Sequence, residues 1–279
     1  MIFHVVGPRG AVPRIDPTMP VGRVQLARLH RYERESYGDF LWQLVGHGSL
    51  GRSVLFGDDL TEPSFEPAPV TFSLVGGAVI FGLLVGVPLG LLWARKRGAR
   101  FAAAPFTHLA LAALPLWVGL WLGWFFAYKE SLLPIAQYCN LFSPSHGCGG
   151  PVDWANHLVL PSATLGLALA AVYAGVTRRL MVSVARAVDD RAKARRRALI
   201  AFGKLLSRNV SWLIGATLFV ESIFGIPGFG RAVFGALLNG DTPYAESLLV
   251  VAALLAVGFS LTVDLLAGAL LPDWRINEF

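Results

Sequence analysis

The chain has 279 residues, 54% hydrophobic and only 15% charged, with 24 basic against 18 acidic side chains, a net charge of +6 and two cysteines. A soluble domain averages roughly 45–50% apolar and about 25% charged residues, so an ordinary globular domain, a disordered chain and a disulfide-stapled miniprotein are all excluded. A nucleic-acid reading of the positive balance needs a basic face on a soluble fold, so the location of the charges decides it.

In chain order, residues 1–69 form a largely polar segment. Residues 1–10 (MIFHVVGPRG) offer neither a charged leader nor a long apolar core. Translocating that segment calls for a preceding span, of which Ile2–Val6 would be the tail; the alternative is that the next span inserts by itself as a reverse anchor. An α-helix rises about 1.5 Å per residue, so a hydrocarbon layer about 30 Å thick takes about 20 apolar residues to cross. Five segments reach or approach that length. The first, 70–93, carries no charge. The second, 105–128, ends in a cluster of aromatics (Trp117, Trp121, Trp124, Phe125, Phe126, Tyr128). The third is 157–176, the fourth is the shorter 210–224 with Glu221 near its end, and the fifth is 247–271 with Asp264. A water-soluble bundle would show a polar stripe at helical spacing, and the first two spans show none. The fold expected is an all-α polytopic membrane protein with five transmembrane helices.

Lys and Arg in short loops set orientation. Loops 94–104 and 177–209 carry fourteen basic and two acidic residues, whereas 1–69, 129–156 and 225–246 together carry nine basic and twelve acidic. The basic loops and the tail 272–279 are therefore placed in the cytoplasm, and the N-terminus outside. The positive charge is an orientation signal, and nucleic acid is not expected as a partner.

Several stretches in order resemble one family. Residues 219–231 (FVESIFGIPGFGR) lead to Asp241, Pro243, an apolar span with Asp264, and Leu271-Pro272-Asp273-Trp274-Arg275. This is similar to the C-terminal third of the dipeptide/oligopeptide/nickel-type ABC transporter permeases, whose pattern reads V-E-x-I-F-x-x-P-G-x-G-R and then V-D-x-x-x-x-x-L-x-P-R. Pro69-Val70-Thr71 through LLVGVPLGL into Arg95-Lys96-Arg97-Gly98 resembles that family's second helix. Residues 28–53, with Phe40-Leu41-Trp42 and Gly48-Ser49-Leu50-Gly51-Arg52-Ser53, resemble the external loop after its first. Residues 158–179 resemble its fourth helix. The likeness runs from about residue 20 to the end.

The resemblance implies a type I ABC importer permease. It places a cytoplasmic helix, which docks in a cleft of an ATP-hydrolysing partner, at about 184–199. Its coupling residues are Arg186, Asp189, Asp190, Arg191, Ala192, Lys193, Arg195, Arg196 and Arg197. An Ala-rich charged run with acids early and bases late suits a short helix in water. The bland reading of those charges is anchoring alone. The family's turn glycine is missing, since no Gly lies between Gly175 and Gly203, so a transport-inactive remnant is an alternative reading. Implied partners are a homologous second permease, two ABC ATPase subunits, an extracytoplasmic solute-binding protein and the lipid bilayer. Peptides lead as substrate and nickel or another small solute is second.

Glu221, Pro227, Gly228, Gly230 and Arg231 form the expected external loop and gate. Intramembrane acids are costly, so Glu221 and Asp264 are expected to face a cavity, a partner or an interface. Glu221 is open between a structural contact holding the outer loop and substrate binding; Asp264 between a helix–helix hydrogen bond and a proton relay. Cys139 and Cys148 flank a loop with Pro144 and Gly147, which suits a local disulfide. With His146 and His157 they match no common zinc spacing, so no metal is expected. His108 reads as a buried hydrogen-bonded side chain. No G-x-S-x-G, H-E-x-x-H or Walker motif occurs, so no catalysis and no bound cofactor are expected; ATP and Mg²⁺ belong to the partner ATPases. Gly76-Gly77, Gly82, Gly86, Gly90, Gly166 and Gly175 suit close helix contacts.

Overall fold

Apolar runs with few helix breakers become the long helices of this chain. The computed structural model describes residues 24–25, 27–28, 37–95, 117–129, 134, 138–139, 150–184 and 191–270. Its helices are α1 (Tyr37–His47), α2 (Ala68–Arg95), α3 (Trp117–Phe126), α4 (Gly150–Val184), α5 (Arg191–Phe224), α6 (Phe229–Leu238) and α7 (Thr242–Leu270). The last turns of α3 run into a π-helical stretch, Gly123–Lys129. The chain forms two compact units, one of 1–69 with 227–253 and one of 70–226 with 254–279.

Helix boundaries depart from those expected. Among the described residues three helices are long and apolar enough to cross a bilayer, or four if Trp212–Phe224 and Phe229–Leu238 form one broken span, against the expected five. Residues 105–116 of the expected second span lie outside the described residues. The expected third span, 157–176, is the middle of the 35-residue α4, and the expected loop 177–209 is helical over 177–184 and 191–209. The coupling segment and the fourth span are one 34-residue helix, α5. The fifth begins at Thr242 rather than 247. A change from apolar to charged residues moves a helix out of lipid without ending it, and Pro88 and Pro161 lie inside α2 and α4, whose other backbone bonds and packing carry the helix past them.

The larger unit is organised by α4. Its most apolar window is 83% buried, against 33% for α2, and it is flanked by α5. Lipid tails are as apolar as leucine, so helices there associate through close packing. α2 offers Gly77, Gly82, Gly86 and Gly90 to Ser162, Gly166, Ala170 and Ala174 of α4, a run of small residues spaced every four. A Cβ on Gly86 would stand 2.5 Å from the Ala170 carbonyl oxygen, and one on Gly90 2.6 Å from that of Ala174. A Cβ on Gly166 would meet the Ala78 carbonyl at 3.0 Å. Gly175, also on α4, is buried. α3 joins through Gly119, against Thr164 and Phe224. Leu165, Leu169, Tyr173, Leu213 and Val220 are buried, while Ile80, Leu84, Leu91 and Leu92 of α2 face outward.

The smaller unit is built on turns. Gly48, Gly51 and Gly57 all have positive φ, and an isolated bridge pairs Arg52 with Asp59. Leu50, Val54 and Leu60 are buried beneath.

The same methyl added to two positions of α2 tests this packing. Nothing lies within 4 Å of a Cβ on Gly76, so Gly76→Ala should leave stability unchanged or raise it by up to about 1 kcal/mol, with a thermal midpoint equal to or above that of the parent. Gly86→Ala should destabilise by about 1–3 kcal/mol, because the atoms it meets are backbone. Equal midpoints for the two variants, read by circular dichroism in detergent, would sink the α2–α4 account.

Candidate functional site

Two buried carboxylates, one in each unit, sit at helix ends and hold other segments to them. Glu221 is fully buried in the last turn of α5. The Thr71 hydroxyl, in the first turn of α2, donates to its Oε1 at 2.6 Å. Its backbone closes the helix: Gly225 takes φ +65°, and the Ile226 N–H donates to the Glu221 carbonyl at 2.9 Å. That is the bond from the second residue past the cap back to the third position before it, with glycine in the left-handed conformation between. One residue thereby terminates α5 and fastens it to α2.

Asp241 does the equivalent work in the smaller unit. Gly240, at φ +74°, donates to Leu237 O at 3.1 Å, and the Asp241 N–H donates to Ala236 O at 2.8 Å, closing α6. The Asp241 carbonyl accepts from Ala245 at 3.1 Å and so opens α7. Its carboxylate, 2% exposed, reaches a segment 188 residues away. Oδ2 accepts the Ser53 hydroxyl in a short bond, and Oδ1 accepts the Val54 N–H at 3.3 Å. The Ser53 oxygen accepts the Phe56 N–H at 3.0 Å. A second buried link pairs the Ser64 and Ser247 hydroxyls at 2.9 Å. Both carboxylates accept from a hydroxyl on a distant segment.

At the exposed turn Asp59, the Thr61 hydroxyl and then its N–H (Oδ1 at 2.8 Å) hold the carboxyl below its ordinary value of 3.8. The contribution of that turn is present above pH 3.8 and is lost as pH falls through the lowered value.

The residues of the expected gate fall in both units. Glu221 belongs to the larger. Pro227 is exposed, Gly228 is the extended N-cap of α6, Gly230 is buried and Arg231 is exposed, all in the smaller. Asp264 lies exposed on α7, between exposed Leu261 and Leu265. Of the coupling residues, Arg191, Ala192, Lys193, Arg195, Arg196 and Arg197 form the first two turns of α5; Arg186, Asp189 and Asp190 lie outside the described residues. Cys139 is buried and disulfide-bonded, with its sulfur 3.4 Å from His157 Nδ1; Cys148, His146 and His108 lie outside the described residues. The His157 Nδ1–H donates to the Asp153 carbonyl at 2.8 Å within α4, and Trp154 Nε1 donates to the Tyr138 hydroxyl at 3.1 Å, which ties Tyr138 to the start of α4. Among the described residues no three His, Cys, Asp or Glu side chains are placed to hold a metal. Ser64 and Ser247 were not singled out by sequence, and Ser53 and Thr71 stood out only within the stretches that carry the resemblance, with no partner assigned. A hydroxyl in a turn or an apolar run gives no sign of a partner so far along the chain.

Comparison with known proteins bears on the whole chain. The family of binding-protein-dependent transport system inner membrane components matches residues 193–276. The Probable peptide ABC transporter permease protein y4tP of Sinorhizobium fredii is 30% identical over 237 residues, 79% of this chain and 74% of that protein. The di/tripeptide transport system permease protein DppB of Pseudomonas aeruginosa is 28% identical over 294 residues, 94% of this chain and 87% of its own. The dipeptide transport system permease protein DppB of Escherichia coli is 27% identical over 279 residues, covering 86% and 80%.

Asp241→Ala leaves two buried donors without an acceptor, at about 1–3 kcal/mol each. Hydrogen exchange at the Val54 and Phe56 amides should accelerate at least about tenfold, while the α2–α4 amides keep their protection. Unchanged exchange at Val54 would show that the carboxylate does not hold the segment. Exchange at Thr61 should be flat from pH 7 to 5 once intrinsic rates are removed, and should rise only below pH 3.8.

Proposed function

The chain belongs to the binding-protein-dependent transport system inner membrane components, and we propose that within this family it is a permease subunit that imports di- or oligopeptides. Members are the membrane-spanning, non-catalytic parts of ABC importers; ATP hydrolysis sits in separate subunits and a binding protein supplies the solute. The chain is a multi-pass plasma-membrane protein, in keeping with its outward apolar helix faces. The observation that carries the peptide reading is the naming of relatives as peptide, dipeptide or di/tripeptide permeases across 79–94% of this chain.

In this reading the N-terminus lies outside, five spans cross the membrane, and 94–104, 177–209 and the tail lie in the cytoplasm. A homologous permease pairs with this one across a pseudo-two-fold axis, two ATPases bind ATP and Mg²⁺ below, and the binding protein docks outside. This chain binds no cofactor. Arg186, Asp189, Asp190 and the first turns of α5 form the surface that the ATPase grips. Asp264 makes a helix–helix hydrogen bond with the second permease, since an exposed carboxylate in lipid is costly. A disulfide between Cys139 and Cys148 closes the outer loop.

The continuity of α5 supports a mechanism. Its 34 residues span roughly 50 Å without a proline. A push on 191–199, as the ATPases close, therefore travels along one rod to Glu221. There the Thr71 bond passes it to α2, and the Gly225 turn allows the next segment to reorient. Glu221 acts as a structural contact that binds no substrate. The helices rock between inward-open and outward-open states.

Reconstitution with the second permease, ATPases and binding protein tests the reading. Vesicles should accumulate radiolabelled dipeptide with ATP and should not accumulate nickel; nickel uptake alone would replace the substrate, and no uptake would favour a remnant. Replacing Arg195, Arg196 and Arg197 together with Ala should cut binding-protein-stimulated ATP hydrolysis by about tenfold or more and leave assembly intact. Ala201→Pro should break the rod, which costs about 3 kcal/mol in a helix interior, and remove stimulation while the basal rate persists. Full stimulation in Ala201→Pro would overturn the lever.

A further inference from the structure

The smaller unit contains a cavity of about 370 Å³ that the mechanism above does not use. Small-molecule sites begin near roughly 300 Å³, so the volume suits a short peptide. Its walls include Arg28, Arg52, Gln43, Ser49, Ser53 and Glu246. Arg28 and Arg52 are the cationic side chains of its lining, Arg52 lying near the Asp59 carboxylate.

Arg28 is the built part. Its Nη1 donates to the Leu55 carbonyl at 3.3 Å, which commits one of five donors and half-buries the head. The guanidinium lies directly against Gly57, and a Cβ there would collide with its carbon and Nη2. Gly57 also has φ +80°, so the turn that admits the arginine is one only glycine makes without strain. The neighbouring Ser53 is held by Asp241, which keeps that wall in place. An arginine fixed at one edge and open to a cavity is suited to a planar carboxylate, which it can grip through two parallel hydrogen bonds.

We propose that this cavity binds the free α-carboxylate of a short peptide, on Arg28 and Arg52, as a subsite of the permease itself. The inference rests on the peptide reading above and adds a place where substrate is held outside the binding protein.

The test uses the assembled transporter in nanodiscs without binding protein. The probes are dialanine and its C-terminal amide, each followed by saturation-transfer NMR. Dialanine should bind at least about tenfold more tightly than the amide, the loss expected for a charge-assisted hydrogen-bond pair. Arg28→Ala should abolish that preference, Arg28→Lys should keep part of it, and Gly76→Ala should keep all of it. Arg52→Ala, at an exposed position, gives a second reading should Arg28→Ala fail to assemble. Equal affinity for acid and amide overturns the proposal, as does an unchanged preference in both arginine variants. If only the binding protein's own affinity for the complex falls in Arg28→Ala, the cavity receives an acidic loop of that protein and the proposal fails. Peptide uptake with no cavity binding defeats the subsite and leaves the function standing; nickel uptake with no peptide binding defeats both.

Discussion

Helices α2 and α4 meet backbone to backbone, and much of the larger unit follows from that approach. In lipid, burying a leucine between helices gains nothing over leaving it among acyl chains, so association depends on contact area and on how near the axes come. Gly82, Gly86 and Gly90 let α2 lie on the carbonyls of Gly166, Ala170 and Ala174. α4 is thereby enclosed, with α5 along it and Gly119 of α3 against Thr164. The remaining faces of α2 can then be wholly apolar, as Ile80, Leu84 and Leu91 are.

A second economy lies at the helix ends. A helix leaves its last carbonyls without partners, and in a dry setting each must be satisfied. Glu221 and Asp241 satisfy theirs with a glycine turn and then use the carboxylate for a distant segment. Hydroxyl partners bring the hydrogen bond without a buried opposite charge. Such links are directional and short, so they fix the register of what they join. They also place one carboxylate at the C-terminal end of α5 and one at the α6–α7 junction.

Much of this was legible in sequence, for reasons specific to membranes. An uncharged run such as 70–93 has one stable home, and the glycines within it stood out because they weaken a helix unless something approaches closely. Helix limits were not legible. The charges at 191–197 read as part of a separate short helix at about 184–199, yet they begin the helix that ends at Phe224. Glu221 was visible as an acid in an apolar run, but Thr71, its partner 150 residues earlier, was an unremarkable residue in the opening turn of a span.

The sequence alone determined that this chain is a helical membrane protein and to which family it belongs. The first depends on composition summed over long segments, where hydrophobic transfer acts without regard to neighbours, and the second on short motifs kept in order along the chain. Only the tertiary structure decided which glycine faces which carbonyl, that α5 is one rod, and that Ser53 answers Asp241 across 188 residues. Those outcomes depend on short-range forces between residues that meet only after folding, and no local pattern encodes them.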